Sequence, residues 1–291
     1  MANKDTLFLK KNYINCVGTL LDFSIPRVMG ILNITPDSFY DGGYYYEQDV
    51  AKEQVIKLVE DGADIIDVGG YSTRPGADTI PVHEEWNRLE PVLELIRENF
   101  PDVIISVDTF RSEIAGKAKA EYNIDMVNDI SAGELDDNMF STIAELQVPY
   151  VMMHMKGNPQ NMRHKAQYND LIGEITAYFA EKVDFLRTLG VKDMIIDPGF
   201  GFSKTIAHNF ILLRNLKDFA IFNLPLLVGL SRKSMIYKTL DISPQESLNG
   251  TTALNTLALL QGADILRVHD VKEARETMRL FDKYKDADYP L

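Results

Sequence analysis

The sequence predicts a (β/α)8 barrel of the TIM type, and three observations support this fold class. Eight short runs of apolar and β-branched residues recur at intervals of about 33 residues, which is the size of one strand–helix–strand unit. Segments with the apolar spacing of amphipathic helices lie between these runs. The chain has 291 residues, close to the length of a single barrel of this type. Alternating strands and helices indicate a parallel sheet, and a doubly wound open sheet stays the alternative.

The predicted strands are short, and helical segments or loops follow them. The eight runs lie at residues 28–33, 64–68, 103–108, 126–130, 150–153, 194–197, 226–229 and 265–268. The predicted helices lie at residues 50–60, 84–98, 171–189, 210–219, 248–260 and 272–284, and a further helix begins near Arg111. In the first of these helices, Val55, Leu58 and Val59 recur at helical spacing.

Residues 1–27 fall outside this alternation. The segments 8–13 and 19–23 lie on either side of Val17 and Gly18, where a tight turn is expected. We predict a short β-hairpin here that covers the N-terminal end of the barrel. Because the chain carries no linker, repeat or low-complexity segment, residues 1–291 are expected to form one domain.

Charge and composition exclude several classes of protein. Asp and Glu total 43 against 30 Lys and Arg, a formal charge of −13, whereas nucleic-acid binding needs a basic face. Cys16 is the single cysteine, so no intrachain disulfide can form, which suits a reducing compartment. No apolar stretch approaches the roughly 18 residues of a membrane span, and residues 1–13 lack the apolar run of a signal peptide. We expect a cytoplasmic protein with no nucleic-acid or membrane partner.

Polar side chains gather where the predicted strands end. They are Asn33, Asp108, Asn128, Asp129, His154, Asp197, Ser231, Arg232, Lys233, Arg267 and His269. In a TIM barrel the active site forms at this carboxyl end of the strands. Each residue also has a structural interpretation: Asp108 could cap the next helix, and His154 alone is more typical of a hydrogen-bonded core histidine than of a catalyst. Their shared position at one rim favours a functional site.

Three loops at this rim are rich in glycine and proline, at residues 33–39, 69–76 and 197–202. Such loops let a backbone approach a ligand closely, although ordinary turns have the same composition. Phe39, Phe200 and Phe202 are expected to be exposed aromatics that can stack on a flat ring.

Several motifs in fixed order match a known family. They are MGILNITPDSF at 29–39, DGG at 41–43, STRPG at 72–76, SVDT at 106–109, VNDI at 127–130, HMKG at 154–157, DPGFGF at 197–202, SRKS at 231–234 and RVHD at 267–270. On these motifs the chain resembles the dihydropteroate synthases along nearly its whole length. The resemblance implies condensation of 6-hydroxymethyl-7,8-dihydropterin diphosphate with p-aminobenzoate, giving 7,8-dihydropteroate and diphosphate in folate synthesis. It also implies Mg2+ as cofactor and a homodimer formed through late helices.

The resemblance places the pterin site at Asp108, Asn128, Asp197, Lys233 and Arg267. Carboxylates and an amide carbonyl complement the ring and exocyclic N–H donors of the guanidine-like edge of a pterin. Lys233 is implied as a donor to the acceptors of the ring, and the planar guanidinium of Arg267 can stack on it.

The resemblance places the diphosphate site at Arg267, His269, Asn33 and Thr73. Loops after strands seven and eight commonly hold phosphate in such barrels. Asn33 is implied as the protein ligand to Mg2+, an ion that keeps several waters and takes further oxygens from phosphates. The implied catalytic residues are Arg267, His269, Lys233 and Asp37.

The p-aminobenzoate site is implied at Thr73, Arg74, Pro75, Phe202, Ser231, Lys233 and Phe39, and segments 35–46 and 72–79 are implied as covering loops. The expected reaction is dissociative. Diphosphate leaves first because Mg2+, Arg267 and His269 neutralise its growing charge, and the neutral aryl amine then attacks the pterin cation. No activated side-chain nucleophile is needed.

Three residues depart from the family pattern. Tyr71 stands where many relatives carry an acidic residue, Tyr40 where a small residue is common, and Ser203 where glycine is frequent. These changes leave the pterin residues intact and affect the p-aminobenzoate mouth.

Two other functions fit parts of the pattern. A pterin-binding methyltransferase with methyl-folate and a corrinoid partner would share the pterin residues, but it would not need the TPDSF loop or the pair of Arg267 and His269. A non-catalytic pterin-binding protein would bind ligand without turnover, and the complete set of implied residues argues against it.

Overall fold

The computed structural model describes residues 12–34, 44–72 and 79–287. Its strands are β1 (Tyr13–Cys16), β2 (Thr19–Asp22), β3 (Arg27–Asn33), β4 (Ile65–Gly69), β5 (Ile104–Asp108), β6 (Met126–Asp129), β7 (Tyr150–Met153), β8 (Met194–Asp197), β9 (Leu227–Val228) and β10 (Ile265–Val268). β1 and β2 pair antiparallel, and β3 to β10 form an eight-stranded parallel sheet. All eight predicted runs therefore contain a strand.

The parallel sheet closes almost completely into a barrel. Its order is β8-β7-β6-β5-β4-β3-β10-β9. A parallel bridge pairs Ile196 of β8 with Leu226, and the backbone N–H of Ile196 donates to Pro225 O at 3.0 Å, so the two edges of the sheet meet. Each strand neighbours the strands before and after it in the chain. This order confirms the TIM-type barrel and excludes a doubly wound sheet, whose strand order reverses at a switch point.

Helices connect the strands on the outside of the barrel. In the described chain they are α1 (Tyr44–Glu60), α2 (Val82–Asn99), α3 (Ser112–Tyr122), α4 (Met139–Leu146), α5 (Leu171–Thr188), α6 (Ile206–Arg214), α7 (Ser234–Leu240), α8 (Leu248–Leu260) and α9 (Val271–Lys285), with 3₁₀ helices at Met162–Lys165 and Leu216–Phe222. Among these described helices, none is long and apolar enough to cross a membrane.

The predicted helix at 210–219 is wrong as a single element. α6 begins earlier, at Ile206, because Thr205 Oγ1 accepts the backbone N–H of His208 at 3.1 Å and caps the helix. It ends at Arg214, and a separate 3₁₀ helix follows. The short helices α4 and α7 are too brief to show a helical period in the sequence.

The interior of the barrel is apolar at its N-terminal end. Each strand contributes one buried side chain to this apolar layer: Met29, Ile65, Ile104, Met126, Val151, Ile195, Leu227 and Ile265. Ile14, Cys16, Leu21 and Phe23 of the hairpin pack against it. The prediction that the hairpin covers this end of the barrel is confirmed. Burial raises the pKa of the Cys16 thiol to about 12.

The first strand of the hairpin lies later than predicted. β1 covers Tyr13–Cys16, whereas the prediction placed a strand at 8–13, of which residues 8–11 lie outside the described chain. Val17 and Gly18 have φ values of 50° and 98°, which suit a two-residue turn whose twist matches paired strands. Because only these two residues form the turn, Cys16 pairs with Thr19 and β1 runs directly into it.

Candidate active site

The barrel interior becomes polar two residues beyond the apolar layer, toward the carboxyl ends of the strands. Side chains two residues apart on a strand share a face of the sheet. The positions two residues beyond the apolar layer include Asp67, Ser106, Asn128, Asp197 and Arg267. Asp67 and Ser106 are completely buried, and the side chain of Arg267 is 21% exposed. This polar layer lies at the end of the barrel where active sites of the architecture form.

Arg267 of β10 joins two carboxylates across the barrel. Its Nε donates to Asp67 Oδ2 at 2.7 Å, and its Nη2 donates to Asp108 Oδ2 at 2.6 Å. Asp108 ends β5, where desolvation raises its pKa to about 7 and the Arg267 cation opposes the shift. Two of the predicted pterin residues are therefore in direct contact.

Asn128 of β6 reaches the same cluster through Asp67. Its Nδ2 donates to Asp67 Oδ2 at 2.9 Å, and Ser106 Oγ donates to Asp67 Oδ1 at 2.6 Å. The next residue, Asp129, points to the opposite face of the strand, where Tyr150 donates to it at 2.6 Å. Asn128 thus faces the barrel interior, and Asp129 is a structural acid outside it.

Asp67 belongs to this cluster although no sequence motif singles it out. It lies two residues after Ile65 on β4, in the same phase as Asn128 after Met126. A buried acid requires donors around it, so an acid at an inward position of a buried strand is itself a signal of a polar network. The sequence alone does not give this phase, because all five residues of β4 are buried and no alternation marks the inward face.

Asp197 is the last residue of β8, and Lys233 reaches the polar layer from the loop after β9. Asp197 Oδ1 accepts the backbone N–H of Gly199 at 2.8 Å, which fixes the start of the 197–202 loop. Lys233 Nζ donates to Phe200 O and lies 4.7 Å from the centroid of the Phe202 ring. Burial lowers the pKa of Lys233 to about 8, while the Asp197 carboxylate opposes the shift.

The two phenylalanines of this loop differ from each other. Phe202 is half-buried, and its ring lies beside the Lys233 ammonium. Phe200 is completely buried in the main hydrophobic core, so its prediction as an exposed aromatic is wrong. Its backbone carbonyl, and not its ring, faces Lys233. Loop composition does not reveal which side chains turn inward.

His269 and Ser231 are paired at the rim. The backbone N–H of His269 donates to Ser231 Oγ at 3.3 Å, and the same oxygen lies 3.0 Å from His269 Nδ1. The hydroxyl donates to Nδ1 when the neutral ring carries its proton on Nε2, and it accepts from Nδ1 in the other tautomer. Desolvation and the cations Arg267 and Arg232 lower the pKa of His269 to about 4. At neutral pH this histidine is a neutral N–H donor.

Asn33 ends β3 beside the acid of β5. A methyl group on Gly69 would lie 3.6 Å from both Asn33 Oδ1 and Asp108 Oδ2, so the missing side chain leaves these oxygens facing a shared gap. Within the described ranges, no group of three or more His, Cys, Asp or Glu residues could hold a metal ion. A cation near Asn33 would need oxygens from water or from a ligand, which is the usual coordination of Mg2+ with phosphates.

Several predicted site residues lie outside the described part of the chain. They are Asp37, Phe39, Thr73, Arg74 and Pro75, and Tyr40 is also outside it. Their predicted roles stay predictions.

A second polar network, around Lys204, binds backbone carbonyls of the 197–202 loop. The fully enclosed ammonium of Lys204 lies 3.0 Å from His154 Nδ1 and donates to Gly199 O at 3.0 Å and Phe202 O at 3.1 Å. Burial, together with the Lys204 charge, lowers the pKa of His154 to about 2. The interpretation of His154 as a hydrogen-bonded core residue is supported. Lys204 was missed, because its partner is distant in sequence.

Tyr71, one of the departures from the family pattern, is buried at the rim. Its ring packs edge to face with Phe110, with centroids 5.1 Å apart, and Arg111 lies 5.3 Å from its centroid. Gln160 Nε2 donates to its hydroxyl at 3.3 Å. Ser203, another departure, accepts the backbone N–H of Lys156 on Oγ at 2.9 Å. Neither of these two hydrogen bonds joins Tyr71 or Ser203 to the cluster around Arg267.

This barrel, with acids, an amide and cations at one mouth, belongs to the pterin binding enzyme family, whose model matches residues 29–269. The matched range includes the described site residues from Asn33 to His269.

The chain is similar to dihydropteroate synthases in sequence and in structure. The dihydropteroate synthase of Escherichia coli (strain K12) is 45% identical over 91% of this chain and 94% of its own length. The crystal structure of Yersinia pestis dihydropteroate synthase with a sulfonamide drug has a TM-score of 0.88 and 40% identity, covering 95% of this chain and all of the other. Xanthomonas albilineans dihydropteroate synthase with 4-aminobenzoic acid has a TM-score of 0.87 and 36% identity, covering 95% of this chain and 99% of the other.

Proposed function

We infer that this protein is a dihydropteroate synthase, a transferase of folate biosynthesis. It joins 6-hydroxymethyl-7,8-dihydropterin diphosphate to p-aminobenzoate and releases diphosphate. The observation that carries this proposal is the cluster in which Arg267 bridges Asp67 and Asp108, with Asn128 bound to the same Asp67. This cluster combines acceptors for a pterin with a cation for its leaving group in one barrel mouth. Relatives of that name at 45% identity support it.

The acceptors match the heterocycle. A pterin presents ring and exocyclic N–H donors along one edge, and Asp108, Asn128 and Asp197 offer oxygens at the carboxyl ends of β5, β6 and β8. Lys233, next to Asp197, supplies a donor for the ring acceptors. Phe202, beside the Lys233 ammonium, gives a flat apolar surface next to the pterin position.

The hydrogen-bond donors at the rim match the leaving group. Arg267 and, in its Nε2–H tautomer, His269 are donors at the same rim, and they stabilise the charge that grows on diphosphate as the C–O bond breaks. The bond breaks before the new C–N bond forms, which gives a pterin cation delocalised into the ring. The neutral aryl amine of p-aminobenzoate attacks this cation and then loses a proton.

Mg2+ is the proposed cofactor, held by Asn33 Oδ1 next to Asp108. When bound, it supplies positive charge to the diphosphate oxygens. Asn33 orients a neutral oxygen toward that position.

The p-aminobenzoate site is proposed at Phe202, Lys233 and Ser231 together with Thr73, Arg74, Pro75 and Phe39. Ser231 also orients His269, so the serine would serve two neighbouring subsites. Asp37 and Thr73 retain their proposed roles in catalysis and in phosphate binding.

The test is an assay of diphosphate release and of 7,8-dihydropteroate formation. We expect release in equal amounts with product, only when both substrates and Mg2+ are present. Methyl transfer from methyl-folate to a corrinoid protein, without diphosphate release, would favour the methyltransferase. Tight binding of 6-hydroxymethylpterin with no turnover would favour the non-catalytic protein.

A homodimer through α8 and α9 is the proposed assembly, in a cytoplasmic protein. These two helices pack together and expose Leu257, Leu260, Leu280 and Tyr284, with exposed fractions of 47%, 51%, 74% and 71%. An apolar patch of this kind is typical of a protein–protein interface. Light scattering after gel filtration should give twice the chain mass of 32.9 kDa, and Leu280→Glu should halve it. A parent that elutes as a monomer at micromolar concentration contradicts the dimer.

A further inference from the structure

We propose that Asp67 is the positioning residue of the site, and that it orients the Asn128 amide and the Arg267 guanidinium together. Asp67 would thereby align the acceptor for the pterin with the donor for the diphosphate. This assignment rests on the proposed function, and it concerns a residue that does not itself touch substrate.

The three partners of Asp67 account for both of its oxygens. Oδ1 accepts from Ser106, and Oδ2 accepts from Asn128 Nδ2 and Arg267 Nε. The residue is completely buried, so water does not compete with these donors. An ionised carboxylate only accepts hydrogen bonds, and each partner must therefore direct a donor toward it.

Asn128 is oriented by this requirement. With Nδ2 committed to Asp67, the carbonyl Oδ1 is the end of the amide that is turned away from the acid. The pterin edge carries N–H donors, which need an oxygen and would be repelled by an amide NH2. An amide flipped by half a turn would place acceptor against acceptor at Asp67 and donor against donor at the pterin edge.

Arg267 is oriented by the same oxygen atom. Its Nε is held by Asp67 and its Nη2 by Asp108. Asp108 is also a proposed pterin ligand, so its carboxylate would exchange the hydrogen bond from Arg267 Nη2 for one from the pterin. Asp67 is completely buried and keeps its bond to Nε, which holds the rigid guanidinium in place while Asp108 turns to the pterin and leaves Nη2 free for the diphosphate.

The charge of Asp67 is as important as its shape. Asp67→Asn removes the negative charge that faces the Arg267 guanidinium, and an NH2 group at the position of Oδ2 would oppose the donors of Asn128 and Arg267. A matched control is Asp129→Asn, which changes a completely buried acid of β6 that faces away from the barrel interior. Both substitutions remove a buried charge, but only the first lies against the site.

The experiment compares the parent with the two variants by calorimetric titration with 6-hydroxymethylpterin and, separately, with inorganic diphosphate in the presence of Mg2+. For folded Asp67→Asn we expect each affinity to fall at least tenfold, kcat to fall, and the KM for p-aminobenzoate to stay within twofold. For Asp129→Asn we expect a lower melting temperature with affinities within about twofold of the parent. If Asp67→Asn lowered the melting temperature but left both affinities within about twofold of the parent, the role of Asp67 would be merely structural. This result would overturn the proposal.

A second measurement does not depend on the folding of a variant. In a crystal structure of the parent with 6-hydroxymethylpterin and diphosphate, Asp67 Oδ2 should stay within hydrogen-bond distance of Arg267 Nε and Asn128 Nδ2, while Arg267 Nη2 leaves Asp108. Separation of Asp67 from either partner would overturn the assignment. A parent that binds neither probe would overturn the proposed function, and the role of Asp67 with it.

Discussion

The same strands supply two layers of the barrel interior, and the layers differ in what their side chains contact. In the apolar layer, Ile65 and Ile195 pack against the other strands and the hairpin. Two residues further along, Asp67 and Asp197 take part in hydrogen bonds and ion pairs. Since the backbone is the same, the difference shows that strand geometry specifies the fold while side-chain identity at alternate levels specifies the site.

The two layers should respond differently to substitution. A smaller side chain in the apolar layer leaves a cavity and lowers stability. A neutral side chain in the polar layer removes a charge that burial disfavours, so function can be lost without loss of stability. Predictions that separate the two effects test this comparison.

The largest effect is expected for Arg267→Gln. Loss of the guanidinium removes a charged donor to the leaving diphosphate, and we expect kcat to fall about 10²–10³-fold. Arg97→Gln is the control, because Arg97 donates to the Tyr122 and Asn123 carbonyls and to Asp125 rather than to the site. Steady-state assays of both variants check this. A kcat for Arg267→Gln within twofold of the parent would remove the proposed role in diphosphate departure.

The next effect is expected for Asp197→Asn, which should separate binding from stability. Burial raises the pKa of Asp197, although Lys233 opposes the shift. The ionised carboxylate is therefore disfavoured in the folded state, and its contribution to stability falls as the pH rises through the raised pKa. At pH 8 we expect a melting temperature no lower than that of the parent, with at least tenfold weaker binding of 6-hydroxymethylpterin. A lower melting temperature with unchanged binding would contradict the assignment of Asp197 to the site.

A pH profile gives a third test within the polar layer. Asp108, with a pKa of about 7, is ionised above that pH, and Lys233, with a pKa of about 8, is protonated below that pH. Affinity for 6-hydroxymethylpterin, which carries no phosphate, should be greatest between these values. The affinity should be about tenfold lower one pH unit below the pKa of Asp108, and about tenfold lower one pH unit above the pKa of Lys233.

The matched variant for this profile is Lys233→Arg. A guanidinium stays charged across the whole range, so the alkaline limb should disappear while the acid limb remains. Persistence of the alkaline limb in Lys233→Arg would show that another group causes it.

The sequence predicts those site residues that stand at the ends of strands. It does not predict those that lie inside a strand buried on both faces. Asp108 and Asp197 stand at the ends of apolar runs, so their place at the rim follows from the strand pattern. Asp67 lies inside β4, where all five residues are buried and no alternation distinguishes the inward face. Its role becomes visible only when Ser106, Asn128 and Arg267 are placed around it.

Long-range contacts explain the other misses. Lys204 is buried because His154, on a different loop, and two backbone carbonyls surround its ammonium. Phe200 turns into the core while Phe202 stays at the mouth, and no local pattern in the loop determines that choice. The fold class, in contrast, follows from the repeated alternation of strands and helices, which is a property of the local sequence.

The smallest effect is expected for Ile195→Val, in the apolar layer two residues before Asp197. Removal of one methylene should lower the free energy of unfolding by about 1 kcal/mol, measured by urea denaturation. Because the side chain belongs to the apolar cluster formed with the other strands and the hairpin, kcat and both KM values should stay within about twofold of the parent. Ile196→Val, on the opposite face of the same strand, is the matched control and should lose a similar amount of stability. If Ile195→Val instead raised the KM for the pterin substrate several-fold, packing in the apolar layer would be coupled to the polar layer above it, and the two could not be treated as independent.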